Sequence, residues 1–230
     1  MREIIFDTET TGLSPAGGDR MVEIGCVEMV NRVETGRTYH AYFIPGRPMR
    51  SEAEAVHGLS DTFLSDKQDF ADNVHELLEF IGDAPLIAHN AAFDFGFLNH
   101  ELSRCARDPI CLSRMICTLV LARSRHPGAK HSLDALCTRF GVDRSHRVKH
   151  GALLDAQLLA RVYVELNGGR QIGLTLIGDA PAETNSPLSA PERQFRAARP
   201  HLPSEAERDR HRRFIAALVN PLWERFLAPI

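Results

Sequence analysis

The stretch EIIFDTETTG, residues 3–12, joins an apolar strand to two carboxylates at its end. Residues 3–8 predict a short buried strand. Side chains i and i+2 of a strand point to the same face, so Asp7 and Glu9 are expected to project together. Two neighbouring carboxylates repel each other, and a cation that prefers oxygen ligands, Mg²⁺ or Mn²⁺, relieves that repulsion. The alternative is a solvated strand end followed by a turn.

Two later motifs add carboxylates in similar positions. In HNAAFD, residues 89–94, Asp94 falls in the first turn of a predicted helix between two phenylalanines. In HGALLDA, residues 150–156, Asp155 falls one turn into a helix beside leucines, where an unpaired charge is costly. His150 precedes that helix in a loop and can turn toward whatever Asp155 binds. Taken singly, Asp94 also suits a helix N-terminus, and His150 also suits an ordinary loop.

The rest of the first 177 residues predicts hairpin strands followed by strands that alternate with helices. This order favours an α/β domain with a mixed sheet. The expected elements are strands at 21–30 and 37–44 joined by a turn at 31–36, a helix around 74–81, a strand at 85–88, a helix with Asn90 as N-cap, a helix from Ser132 to Gly141, and a helix at about 152–166.

Composition limits the possible classes of protein. A chain of 230 residues with 43% hydrophobic and 25% charged residues suits one globular domain with an appendage. No apolar stretch approaches the roughly 18 residues that a membrane span requires. Asp7 comes too early for the apolar region of a signal peptide, so we expect a cytoplasmic protein. The five cysteines form no CxxC pair and are expected to be reduced.

Charge gives a local rather than a global indication of nucleic-acid binding. The net charge is −3, so any DNA contact must come from a basic patch and from metal ions. Residues 123–149 hold seven Lys or Arg against Asp134 and Asp143 and lead into His150. This segment predicts an edge that faces phosphates. A solvated helix surface is the alternative.

The chain changes character near Leu176. Residues 178–203 hold five of the 13 prolines and predict an extended linker. Ser204 and Glu207 match a capping box at the start of a further helix. An apolar stripe follows, which that helix cannot bury against itself: Phe214, Ile215, Leu218 and Leu222, ending in Trp223 and Phe226.

The three motifs, in this order, resemble the DEDD exonuclease superfamily in its histidine-bearing branch. The resemblance covers residues 3–177 and implies an RNase H-like domain with a five-stranded mixed sheet flanked by helices. It implies that Asp7, Glu9, Asp94 and Asp155 hold two divalent cations, Mg²⁺ or Mn²⁺, and that His150 is the general base. The expected reaction releases 5′-monophosphates from a 3′ end by direct attack of water.

The same resemblance implies a pocket for the terminal nucleotide of a single-stranded or frayed 3′ end. The pocket residues it indicates, besides Asp7, Glu9 and Asp155, are Thr8, Thr10, Gly12, Glu52, Val56, His57 and Asn90. From the residues alone, we infer only small and polar groups that can hydrogen-bond a sugar or a base.

Within the superfamily, VHGLSD (56–61), HNAAFDFGFL (89–98), SLDALC (132–137) and HGALLDAQLLARVY (150–163) resemble the proofreading subunits of bacterial replicative DNA polymerases. Residues 171–176, with Gln171, Leu174 and Leu176, are similar to peptides that bind the sliding clamp; a final strand is the alternative. The stripe from Phe214 to Phe226 then predicts an anchor to the polymerase subunit. The expected division is an exonuclease domain at 1–177, a linker at 178–203 and a polymerase-binding tail at 204–230.

Three alternatives stay open. The motifs are compatible with a stand-alone RNase that trims RNA 3′ ends, although such an enzyme needs neither linker nor tail. A non-catalytic adaptor between polymerase and clamp is disfavoured because all five catalytic positions are present. A structural α/β domain, in which the carboxylates only cap elements, predicts no effect of divalent ions on stability.

Overall fold

The computed structural model describes residues 1–145, 147, 149–169 and 202–219. The chain divides into two units, Met1–Leu176 and Ile177–Ile230, and each is described by itself. Several predictions therefore lie outside the described residues: those for Gln171, Leu174, Leu176, Leu222, Trp223 and Phe226, and that for all but the end of the linker at 178–203.

The first unit is built on one mixed sheet, as predicted. Its strands are β1 Arg2–Thr10, β2 Met21–Val30, β3 Val33–Tyr42, β4 Leu86–Ala88 and β5 Met115–Cys117. They follow the order β3-β2-β1-β4-β5 across the sheet. The pairs β3–β2 and β2–β1 are antiparallel, whereas β1–β4 and β4–β5 are parallel.

The hairpin between β2 and β3 turns more tightly than predicted. Val30 pairs with Val33, so only Asn31 and Arg32 form the loop. Both have positive φ, 51° and 64°, as a type I′ hairpin turn requires. The predicted strand start at Arg37 was wrong because β3 is an edge strand with mostly exposed residues, and its first half lacks an apolar pattern.

Helices cover both faces of the sheet. The helix bounds are α1 Ser51–His57, α2 Asp61–Leu64, α3 Phe70–Ile81, α4 Ala92–Arg104, α5 Thr118–Arg125, α6 Leu133–Phe140, α7 Ala152–Leu166 and, in the second unit, α8 Glu205–Ala216. The predicted caps of α6 and α8 are confirmed. Ser132 accepts from the N–H of Ala135 at 3.3 Å, and Ser204 and Glu207 form a capping box.

Successive side chains of β1 point to opposite faces of the sheet and pack into the hydrophobic core on both sides. Ile4 and Phe6 pack in a cluster with residues of α3 and α4, including Leu77 and Phe95. Ile5 points the other way, into a cluster with α7 residues such as Leu159. The middle of β1, Ile4–Phe6, is apolar without interruption, as expected of a central strand buried on both faces, and the carboxylates Asp7 and Glu9 follow this run.

Among the described residues, no helix is long and apolar enough to cross a membrane. The five cysteines are free thiols.

Candidate active site

Asp7 lies on the face of β1 that is covered by α7. It pairs with Gly25 of β2 across the antiparallel ladder. A Cβ atom at Gly25 would lie 2.2 Å from the backbone nitrogen of Leu153 in the first turn of α7. The missing side chain at position 25 therefore lets the beginning of α7, which carries Asp155, approach Asp7 closely. Glu9 lies two residues further along β1, on the same face.

Asp94 reaches the site from α4. It is 3% exposed, and its Oδ1 accepts a hydrogen bond from Thr8 Oγ1 at 2.8 Å. The predicted N-cap role of Asn90 was wrong: the N-cap is Ala91, which has helical dihedral angles, and no side chain caps the helix. Asn90 instead has a φ of 62° in the turn after β4, a conformation that asparagine tolerates better than most residues.

Asp155 and His150 meet at the beginning of α7. His150 Nδ1 lies 3.1 Å from Asp155 Oδ2. Asp155 is 3% exposed, whereas the His150 side chain is 47% exposed and accessible to solvent. The backbone N–H of His150 donates to the carbonyl oxygen of Val56 at 3.4 Å, so the loop before α7 contacts the end of α1.

Burial disfavours ionisation of Asp7, Glu9 and Asp94, and the charges of neighbouring carboxylates add to this effect at Asp7 and Glu9. Burial, followed by the charges of Asp94 and Glu9, raises the pKa of Asp7 well above its usual value. Burial and the neighbouring Glu23 raise the pKa of Glu9 to about 8. Burial raises the pKa of Asp94 to about 7, although the hydrogen bond from Thr8 opposes the shift.

These carboxylates fit a divalent cation. Hard cations prefer carboxylate oxygens, and a nearby cation offsets the repulsion that raises the pKa values of these groups. One ligand atom each from Glu9, His150 and Asp155 lies within 4.8 Å of the other two. Residues from β1, α7 and the loop before α7 therefore supply a compact donor set.

A cavity of about 550 Å³ opens beside Glu9. Seven of the residues predicted for the nucleotide pocket line it: Thr8, Glu9, Thr10, Gly12, Glu52, Val56 and His57. The other three predicted residues, Asp7, Asn90 and Asp155, do not line this cavity. Nδ1 of the buried His57 accepts from the N–H of Leu59 at 3.0 Å, so Nε2 carries the hydrogen of the neutral ring. Burial lowers the pKa of His57 and keeps the imidazole neutral.

The basic segment before α7 only partly faces solvent. Arg144, Lys149 and His150 line an open depression of about 510 Å³ together with Asp134. Arg144 Nη1 pairs with Asp134 Oδ1 at 2.8 Å. Arg147, in contrast, is directed inward onto Asp155. This segment therefore provides both an exposed basic edge and a cation within the site.

Sequence reasoning missed several residues around the site. Arg147 was counted only as part of a basic run, since its pairing with Asp155 depends on how the loop folds back. Leu13, Arg50 and Phe93 also line the cavity beside Glu9. Leu13 and Phe93 adjoin motif residues and could have been noticed as apolar neighbours; we found no sequence signal for Arg50.

Comparisons with known proteins agree on one class of enzyme. A family model described as an exonuclease (RNase_T) matches residues 4–163. The chain is 50% identical over 226 residues to the DNA polymerase III subunit epsilon of Rickettsia felis, covering 96% of this chain and 98% of that protein. It is 47% identical over 177 residues to the Escherichia coli protein of the same name, covering 74% and 72% of the two chains.

A solved structure extends the likeness to the fold. Exonuclease X in complex with 5′ overhanging duplex DNA superimposes with a TM-score of 0.56 at 25% identity, covering 72% of this chain and 90% of that chain.

Proposed function

The chain belongs to the exonuclease family and, within it, to the DNA polymerase III epsilon subunits, and from this we propose that it is the 3′→5′ proofreading exonuclease of that polymerase. It removes mispaired 3′-terminal nucleotides as 5′-monophosphates. The observation that carries the proposal is the convergence of Asp7, Glu9, Asp94, Asp155 and His150 beside a cavity of nucleotide size. As expected from the sequence, we propose that it acts in the cytoplasm.

Four carboxylates hold the divalent cations in this proposal. Asp7 would serve both of two divalent ions, Mg²⁺ or Mn²⁺, Glu9 and Asp155 would serve mainly the catalytic ion, and Asp94 would act through water. When bound, the ions supply a nucleophile at neutral pH and stabilise the charge on the attacking and leaving oxygens. The raised pKa values of Glu9 and Asp94 support this assignment, because cations restore the ionised forms.

His150 takes the proton from the attacking water. An imidazole is the side chain that most often serves as a general base. The side chain is half exposed, so a proton can pass on to solvent. Its Nδ1 lies 3.1 Å from Asp155 Oδ2, and a hydrogen bond from Nδ1 to that oxygen would orient the ring once the site holds metal. Because water attacks directly, no covalent bond to the protein forms.

The terminal nucleotide occupies the cavity beside Glu9. Thr8, Thr10, Gly12, Glu52 and His57 supply small and polar groups for the sugar. Val56 and Phe93 supply apolar surface for the base, as in other single-strand sites that use stacking. The terminal nucleotide also contacts the remaining residues predicted for the pocket, which are Asn90 and the metal-site carboxylates Asp7, Glu9 and Asp155. The exposed Arg144 and Lys149 face the phosphates of the preceding nucleotides.

The C-terminal region holds the nuclease at the replication machinery. Residues 171–176, through Gln171, Leu174 and Leu176, bind the sliding clamp (beta). The alpha subunit of the polymerase binds the apolar stripe Phe214, Leu218, Leu222, Trp223 and Phe226. Among the described members, Phe214 is 61% exposed and Leu218 is 39% exposed, which suits anchors for a partner groove.

Degradation of labelled oligonucleotides tests the proposed activity. We expect the wild type with Mn²⁺ or Mg²⁺ to shorten 5′-labelled single-stranded DNA stepwise and to release 5′-monophosphates. Asp7→Asn should be inactive, and Asp83→Asn, which changes an exposed carboxylate outside the site, should match the wild type. A primer with a mismatched 3′ end should be shortened faster than a paired one. Strong preference for an RNA oligonucleotide would replace proofreading with RNA trimming, and no degradation would refute the nuclease.

A further inference from the structure

Arg147 holds the carboxylate of Asp155 with two hydrogen bonds. Its Nε donates to Oδ1 at 2.5 Å, and its Nη2 donates to Oδ2 at 2.6 Å. The Arg147 side chain is 8% exposed and that of Asp155 is 4% exposed. A buried bidentate pair of this kind is among the strongest side-chain contacts. Both oxygens of a proposed metal ligand are therefore engaged by a cation that belongs to the chain itself.

The same guanidinium contacts His150. Arg147 Nη2 lies 2.7 Å from Nδ1 and 3.3 Å from Nε2 of the ring. Since an arginine can only donate, the closer nitrogen, Nδ1, must accept, and the hydrogen of a neutral ring then sits on Nε2. In this arrangement Nδ1 cannot donate to Asp155. Two of the three residues that form the compact donor set are thus held by one side chain.

Arg147 has a second partner away from the metal site. Its Nη1 donates to Asp134 Oδ1 at 2.7 Å, and Asp134 is 46% exposed. Arg144 binds the same oxygen at 2.8 Å without contacting Asp155. If Arg147 leaves Asp155, its charge still has a carboxylate partner on α6. The loop therefore offers the guanidinium a position outside the donor set.

We propose that Arg147 is a positioning residue that holds Asp155 and His150 while the site lacks metal and yields Asp155 when a divalent cation binds. The inference rests on the metal site of the proposed function. A guanidinium and a divalent cation on one carboxylate repel each other, so the two exchange rather than coexist. Once Arg147 has left, Nδ1 of His150 donates to Asp155, and Nε2 can accept a proton from water.

Metal binding to the full chain without DNA tests the exchange. Electron paramagnetic resonance of free Mn²⁺ gives the dissociation constant without relying on activity. We expect Arg147→Gln to bind Mn²⁺ about ten-fold more tightly than the wild type, because a site that is closed in about nine of ten molecules loses that factor in apparent affinity. Arg144→Gln removes the same charge from the same carboxylate, Asp134, and should change affinity less than about two-fold.

The possible outcomes separate the inference from the proposed function. If the wild type binds no Mn²⁺, the metal site itself is refuted. If the wild type binds but Arg147→Gln binds equally or more weakly, Arg147 is a permanent support of Asp155 and only the exchange is refuted. An equal increase in Mn²⁺ affinity in Arg147→Gln and Arg144→Gln would show that the effect comes from net charge alone, and this result would also refute the exchange.

A second measurement uses the unaltered side chain. The Nε–H resonance of Arg147, assigned by its absence in Arg147→Gln, should be protected from solvent exchange in the metal-free protein because Nε donates to Asp155. Saturation with Mg²⁺ should shift this resonance and remove its protection. A resonance that keeps its position and protection at saturating Mg²⁺ would overturn the exchange.

Discussion

Glu9 and Asp94 give the metal-free protein a definite pH dependence. Their pKa values are about 8 and about 7 in the folded protein, against 4.5 and 3.8 for ordinary carboxyl groups. At pH values between the ordinary and the raised pKa, the folded state binds more protons than the unfolded state, so the free energy of unfolding falls as pH rises. We therefore expect the free energy of unfolding in the presence of a chelator to decrease from about pH 4 to about pH 8 through these two groups.

Urea unfolding at several pH values measures this decrease. The double variant Glu9→Gln, Asp94→Asn should show a flatter profile, because amides do not titrate. Added Mn²⁺ should stabilise the wild type more at about pH 8 than at about pH 5, since metal and protons compete for the same oxygens. A metal-free stability that rises across this range, together with an unchanged profile in the double variant, would contradict the raised pKa values.

Substitution of His150 should affect proton transfer without affecting DNA binding. His150→Gln keeps a polar side chain of similar reach but removes the base, so the rate of nucleotide release should fall by about 10²–10⁴-fold. The affinity for a single-stranded oligonucleotide should change little, because the cavity beside Glu9 is not lined by His150. His75→Gln, on the exposed side of α3, is the matched control. A normal rate in His150→Gln would assign the base to another group.

At the scale of elements, Gly25 sets how closely α7 approaches β1. Gly25→Ala would place a methyl group 2.2 Å from the backbone of Leu153, and backbone cannot rotate away as a side chain can. We expect a loss of about 1–3 kcal/mol in the free energy of unfolding. Metal affinity should weaken as well, because α7 carries Asp155 away from Asp7.

Gly96→Ala supplies the comparison for that variant. Gly96 lies within α4, and an added Cβ would have no atom within 4 Å apart from its chain neighbours and the backbone of its own helix. Alanine favours a helix by up to about 1 kcal/mol over glycine, so this variant should be neutral or more stable. If Gly25→Ala matched Gly96→Ala in stability and in Mn²⁺ affinity, the close approach at Gly25 would have no role in the site.

The elements that were predicted correctly are those with strong local patterns. The apolar periodicity at 74–81 indicated α3, and Ser132 and Gly141 marked the ends of α6. The edge strand β3 and the short helices α1, α2 and α5 lack such patterns, because tertiary contacts rather than local periodicity determine them. Asn90 was misassigned since asparagine favours both N-caps and left-handed turns, and only the geometry after β4 distinguishes them.

Some features of the candidate site could likewise be predicted from local sequence patterns, and others could not. Asp7, Glu9, Asp94, Asp155 and His150 stand in recognisable motifs, so the sequence indicated them together. The raised pKa values of Asp7, Glu9 and Asp94 depend on burial and on contacts between distant segments. The inward direction of Arg147 depends on how the loop before α7 folds, and neither feature is readable from spacing.

At the scale of the whole molecule, the tail and the nuclease should be separable. Phe214→Ala with Trp223→Ala should weaken binding to the polymerase alpha subunit by about 2 kcal/mol or more, since buried aromatic anchors dominate such interfaces. Degradation of free single-stranded DNA should stay unchanged. Arg210→Ala, an exposed charge on α8, is the control. Surface plasmon resonance against the alpha subunit, paired with the oligonucleotide assay, measures both quantities. If the double variant bound the alpha subunit as tightly as the wild type, the anchor would lie elsewhere in the chain.

The position of β1 in the sheet has a consequence for biosynthesis. This strand carries Asp7 and Glu9 and is the central partner of both β2 and β4, yet the remaining site residues arrive only with α4 and α7, much later in translation. A chain that leaves the ribosome before α7 is made lacks His150 and Asp155, and so cannot form the compact donor set that these residues complete with Glu9. The capacity to cut DNA would therefore appear only after α7 has been synthesised.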